Sequence, residues 1–159
     1  METRRVKYNS LHAQLEVLLS KDGLNMSKVA NFVALIKQTF SSFSWVGFYI
    51  YKNDGLHLSH FQGKVACTYI EVGKGVCGTV FASKKPLIVP NVNEFEGHIV
   101  CDEGSQSEIV LPVIIKGEII GVFDIDSYEL NNFSEVDLDG LDKALQILIN
   151  SLNLKEELK

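Results

Sequence analysis

The chain has 159 residues, of which 46% are apolar and 22% charged, and it carries a net charge of −5 at neutral pH. That length makes a single domain, expected over 1–159, large enough to bury about two thirds of its unfolded surface without disulfide staples. The acidic balance, spread along the chain, argues against nucleic acid as a partner. No apolar run approaches bilayer length and Met1-Glu2-Thr3-Arg4-Arg5 is not followed by a signal-peptide core, so a soluble cytoplasmic protein with no membrane partner is expected.

Leu11, Leu15, Leu18 and Leu19 recur at helical spacing after Asn9-Ser10, and Val29, Phe32, Val33, Ile36 and Phe40 do so after Asn25, which predicts two amphipathic helices. Aromatic and β-branched runs then predict strands at Trp45 to Tyr51, Leu56 to Phe61, Tyr69 to Val72, Pro86 to Val92, Ser107 to Ile115 and Glu118 to Asp126. Short Gly and Asn-Asp-Gly turns favour antiparallel pairing, and a short helix fits between Gly78 and Ser83. Ser134 before Glu135-Val136-Asp137 is a capping-type start for a last helix with an apolar stripe from Leu138 to Leu152. This order of elements predicts an α+β fold: an antiparallel sheet of about six strands with the N- and C-terminal helices packed on one face. The stripe on the terminal helices makes a homodimer a natural expectation.

Gly73-Lys74-Gly75-Val76-Cys77-Gly78 has the letters of a dinucleotide fingerprint, but its neighbours do not read as a βαβ unit, so the glycines are expected to turn the chain into the short helix. At that helix start Cys77 would have its pKa lowered, whereas burial would raise it.

Asp124 and Asp126 end one strand on a common face, and two such carboxylates are costly unless they meet a cation or keep a proton. Whether Glu108 joins them depends on the hairpin at Lys116-Gly117. A two-residue loop would pair Glu108 with Ile125 and turn it to the opposite face. A three-residue loop pairs it with Asp124, and this register is expected, because the other leaves Glu108 in the layer of Phe123 and Ile125. On the first strand Trp45, Gly47 and Tyr49 share a face, and Gly47 leaves room for a small apolar group between the two rings.

The three cysteines, Cys67, Cys77 and Cys101, lie close together in sequence. In a reducing compartment an odd number of thiols is no closed framework, and a transient catalytic disulfide competes with three buried small hydrophobes. Their spacing, even with His98 added, lacks a paired Cys-x2-4-Cys knuckle, so a metal site is not expected.

Taken together, Phe61-Gln62-Gly63-Lys64-Val65-Ala66-Cys67, Gly73 to Gly78, Gly97-His98-Ile99-Val100-Cys101-Asp102, Ser105 to Pro112 and Gly121 to Ser127 resemble the GAF-domain free methionine-(R)-sulfoxide reductases. The resemblance implies reduction of free methionine sulfoxide, with Cys101 as catalytic cysteine, Cys67 as resolving cysteine and Cys77 as an auxiliary thiol. It further implies that Glu108, Asp124 and Asp126 bind substrate against the aromatic wall of Trp45; Tyr49, on the same strand face, is expected to line the substrate site with it. Asn93 and Glu96 depart from the family pattern, in the loop expected to cover the site.

The chemistry agrees with this. A sulfoxide needs a proton at oxygen and a thiolate at sulfur, and crowded carboxyls can hold that proton at neutral pH while another pairs with the substrate's ammonium. The resulting sulfenic acid condenses with a second thiol, Cys67 or Cys77, and a thioredoxin-like reductant resets the enzyme, so no bound cofactor is expected. The competing expectation is a GAF-type sensor that binds a small molecule without turnover.

Overall fold

Four helices and six strands form the chain in a computed structural model that describes residues 3–155. The first two and last four residues of the expected domain lie outside the described residues. Helix α1 (Arg4–Leu19) starts earlier than its leucine pattern predicts, with Thr3 Oγ1 capping it by accepting the Val6 N–H. A contact distant in sequence explains the early start. The Tyr8 hydroxyl donates to Asp137 Oδ1 at 2.7 Å and the Arg4 guanidinium meets the same carboxylate at 3.3 Å, so the polar first turns are anchored on the last helix. Helix α2 (Asn25–Thr39) follows.

The last helix, α4 (Glu135–Ser151), begins with a complete capping box: Ser134 Oγ accepts the Val136 N–H, and the Ser134 N–H donates to Asp137 Oδ2 at 2.9 Å. Asp137 therefore serves its own helix and α1 at once. Gly140 allows the two helices to approach, since a Cβ there would run into the Tyr8 ring.

The strands are β1 (Trp45–Lys52), β2 (Gly55–Gln62), β3 (Tyr69–Glu71), β4 (Leu87–Val89), β5 (Ser107–Ile115) and β6 (Glu118–Ser127). They form one antiparallel sheet in the order β3-β2-β1-β6-β5-β4, as the sequence predicts in class and number. β4 is shorter than expected, because Pro90 has no N–H for the ladder and the chain leaves into a 3-10 turn at Val92–Glu94. Helix α3 (Gly75–Ser83) starts at Gly75, before the expected Gly78, and left-handed backbone at Gly73 (φ 83°) and at Gly75 itself (φ 61°) turns the chain into it.

Period-two alternation divides the sheet's side chains between two cores. Val46, Phe48, Ile109, Leu111, Phe123 and Ile125 pack against α2 and α4, with α1 laid across those helices. Trp45, Tyr49, Val110 and Val122 face the other way, under α3 and the loops. The stripe of α4 is used up in the first core, and the exposed large apolar residues of the described helices are Val6 and Val17 on α1 and Met26 on α2. No described helix is long and apolar enough to cross a membrane.

The β5–β6 hairpin departs from the expected register. Its turn is the two-residue kind, with Lys116 and Gly117 both left-handed (φ 51° and 80°) and Ile115 opposite Glu118. The ladder then slips between Val113, opposite Gly121, and Ile114, opposite Ile119, leaving Ile120 without a partner. This bulge restores the parity that the turn alone would lose, so Glu108 lies opposite Asp126 rather than opposite Asp124 as expected. Gly121 suits the slip, since a Cβ there would collide with the Tyr49 carbonyl oxygen on β1.

Candidate active site

β6 lies between β1 and β5, and its end therefore delivers Asp124 and Asp126 to the middle of the sheet. Trp45 and Glu108 flank Asp126 on the two neighbouring strands, while Gly47 and Val110 flank Asp124. Glu108 and Asp124 are each only 5% exposed, whereas Asp126 is partly open. Asp124 Oδ1 is buried with no hydrogen-bond partner among the described residues.

Burial raises all three carboxyls. For Glu108 and Asp126 the neighbouring Asp124 charge adds to it, and both stand well above the ordinary carboxylate range. Asp124 is raised less, because close polar contact with Glu108 and Cys77 works against its burial. All three carboxyls consequently hold their protons to higher pH than free carboxyls do.

Trp45 and Tyr49 line the same pocket, their ring centroids 5.9 Å apart. The gap expected over Gly47 is taken up by the indole itself: a Cβ at that position would lie 2.5 Å from Trp45 Cη2. Both aromatics also hold the loop that carries Cys67. Trp45 Nε1 donates to the Lys64 carbonyl at 3.1 Å, and the Tyr49 hydroxyl donates to the Cys67 carbonyl at 2.9 Å. Burial, then the Asp124 charge, pushes the Tyr49 phenol up, so it keeps the proton it donates.

Cys67 and Cys101 are joined by a disulfide across 34 residues of sequence, with Cα atoms 5.4 Å apart, and both are partly exposed. Cys77, on α3, is a free thiol and buried. Its Sγ donates weakly to Glu108 Oε1 at 3.9 Å. Of the two opposing effects at this position burial prevails: with the charges of Asp124, Glu108 and Asp126 it holds the Cys77 thiol well above its ordinary range.

The pocket enclosed by these groups has about 50 Å³ of space, room for a few waters, with Cys101 and the acids all on its wall. Ser105, Ile70, Val76 and Lys74 line it too and were not singled out from sequence. Lys74, Val76 and Ser105 lie within the quoted motifs, but nothing local shows that they turn inward. Asn93 and Glu96 are exposed. Among the described residues, the atoms spaced to hold a metal ion are Cys77 Sγ and carboxylate oxygens of Glu108 and Asp124, all within 4.8 Å of one another, a set that includes neither His98 nor the other cysteines.

The six-stranded antiparallel sheet, with α1, α2 and α4 on one face and the pocket under α3 on the other, is the architecture of a GAF domain, and the profile of that domain matches residues 28–145. Among characterised relatives, the chain is 42% identical to the free methionine-R-sulfoxide reductase of Escherichia coli (strain K12), over 84% of this chain and 81% of that one. It is 40% identical to the enzyme of the same name from Saccharomyces cerevisiae, over 88% and 86% of the two chains. The crystal structure of free methionine-R-sulfoxide reductase from Neisseria meningitidis in complex with its substrate superposes with a TM-score of 0.91 at 35% identity, covering 95% of this chain and 91% of that one. The chain belongs to the free methionine-R-sulfoxide reductase family.

Proposed function

We infer that this protein reduces free methionine (R)-S-oxide to methionine. The observation that carries the reading is a disulfide between two partly exposed cysteines, one of which, Cys101, lines a pocket together with the raised carboxyls of Glu108, Asp124 and Asp126. In the reduced enzyme the Cys101 thiolate attacks the sulfoxide sulfur while a carboxyl of the Glu108, Asp124 and Asp126 cluster gives a proton to the oxygen. Methionine leaves, and Cys101 keeps the oxygen as a sulfenic acid. The Cys67 thiol condenses with it, water departs and the disulfide closes.

A carboxylate of the cluster pairs with the substrate's ammonium. The substrate's carboxylate meets backbone N–H groups from Val65 to Cys67, with Lys74 the nearby cation; Val65, Ala66 and Lys74 all line the pocket. Gripping both ends in this way leaves no exit for a continuing peptide, which accounts for a free amino acid as substrate. Trp45 and Tyr49 supply the apolar wall for the methyl thioether. Cys77 stays a protonated thiol that donates toward Glu108.

The same proposal places the enzyme in a reducing cytoplasm, where a thioredoxin-like dithiol opens the disulfide by exchange. It includes a homodimer through the outer face of α1, where Val6 and Val17 stand exposed, and light scattering tests that part.

The decisive assay mixes the protein with free methionine sulfoxide and dithiothreitol and measures methionine, with Cys101→Ser beside it. Wild type should turn over and the variant should not. Undiminished product from the variant would remove Cys101 as nucleophile, and none from either protein would leave a binding domain.

A further inference from the structure

The two loops that supply the disulfide meet on a third residue, Tyr128, just beyond the end of β6. Lys64 stands three residues before Cys67, and its Nζ lies over the Tyr128 ring, 5.3 Å from the centroid. Asp102 directly follows Cys101, and its Oδ2 accepts the Tyr128 hydroxyl at 2.7 Å while its Oδ1 accepts the Gly104 N–H at 3.0 Å. Gly104 also lies flat against the ring, since a Cβ there would come within 3.0 Å of Tyr128 Cε1. The base of this strut is rigid. Neighbouring Ser127 is fully buried, donates its hydroxyl to the Ser42 carbonyl at 2.8 Å and accepts the Gln106 N–H at 2.8 Å. Burial alone would push the Asp102 carboxyl up, but the hydrogen bonds from Tyr128 and Gly104 and the Lys64 charge outweigh it and hold it below its ordinary range. The contact is therefore a charge-assisted one at neutral pH.

We propose that Tyr128 is a positioning residue that clasps the Lys64 and Asp102 loops together and thereby sets how readily the Cys67–Cys101 bond forms. The readiness of two thiols to join depends on how often the chain presents one to the other. On the Cys67 side, the loop is already held by Trp45 and Tyr49 through backbone carbonyls. On the Cys101 side, the loop has its internal turn, Ser105 N–H to Asp102 carbonyl at 3.2 Å, and the Tyr128 contact that ties it to the sheet. Without the phenol the Cys101 loop spreads, and the two sulfurs meet less often.

The bond's role in turnover rests on the reductase reading above, but its equilibrium does not. Wild type, Tyr128→Phe and Tyr128→Ala are equilibrated in glutathione buffers with no substrate. The two thiols pass two electrons and two protons to glutathione disulfide, closing the protein bond and releasing two molecules of glutathione. Alkylation and mass spectrometry then count the free thiols. The oxidation constant should fall about fivefold in Tyr128→Phe, which keeps the ring but loses the hydroxyl, and about twentyfold in Tyr128→Ala, the exposed setting of the contact limiting both. Melting of the reduced proteins checks that they fold, and Tyr128→Phe decides the matter should the alanine variant be unfolded. A constant for Tyr128→Phe within twofold of wild type overturns the proposal, whatever the methionine sulfoxide assay gives.

Discussion

Replacing Glu108 by glutamine isolates the effect of crowding three carboxyls on one sheet face. A carboxylate oxygen of Glu108 lies within 4.8 Å of one of Asp124, and at an effective dielectric of about 20 two charges at that separation repel by about 3.5 kcal/mol. The folded protein avoids most of that energy by holding a proton. Holding it carries a pH signature. Below the ordinary glutamate value of 4.5 the folded and unfolded chains both bind the proton and nothing is lost. Above it the unfolded chain releases the proton while the folded one keeps it, so stability falls as pH rises toward the raised folded value. Glu108→Gln removes its own share of that slope, while Asp124 and Asp126 keep theirs. Its melting temperature should match or lie slightly below wild type at pH 4, where the thiol contact to the carboxyl is lost. At pH 8 it should exceed wild type by about 3–6 °C, taking 1–2 kcal/mol of relieved repulsion in a domain of this size. Activity should move the other way, with kcat/KM for methionine sulfoxide down about 100-fold or more through loss of a proton donor. The readouts are scanning calorimetry from pH 4 to 8 in reductant and a methionine assay on the same samples. Parallel melting profiles for variant and wild type would refute the buried-proton argument even if activity were lost.

Two further substitutions test the supports of the site. Gly47→Ala places a Cβ 2.5 Å from both Phe61 Cβ and Trp45 Cη2, so the indole must swing toward the substrate; KM should rise about tenfold with kcat within about threefold, and an unchanged KM would show that the wall is not at the binding face. Ser134→Ala removes the side-chain half of the α4 capping box, which should cost about 1 kcal/mol and lower the melting temperature by about 2–4 °C with activity intact. A loss of activity there would mean that α4 communicates with the pocket in a way this packing does not explain.

Local pattern was enough for much of this molecule. The α+β class, the six antiparallel strands, the capped last helix and the shared face of Asp124 and Asp126 all follow from spacing between near neighbours, where backbone geometry and hydrophobic period act directly. The clustering of three thiols beside acids, and the resemblance it belongs to, are likewise written in the chain. Tertiary structure decided what depends on partners far away in sequence. Arg4 and Tyr8 begin α1 because Asp137, 129 residues beyond Tyr8, receives them. Glu108 joins the aspartates because a bulge at Ile120 corrects a turn of the wrong parity, and one unpaired residue leaves no trace in an alternating pattern that both registers satisfy. The thiol that bonds to Cys101 was open between Cys67 and Cys77 from the residues alone; it is Cys67, because a loop tethered by Trp45 and Tyr49 brings that sulfur into reach while α3 buries the other.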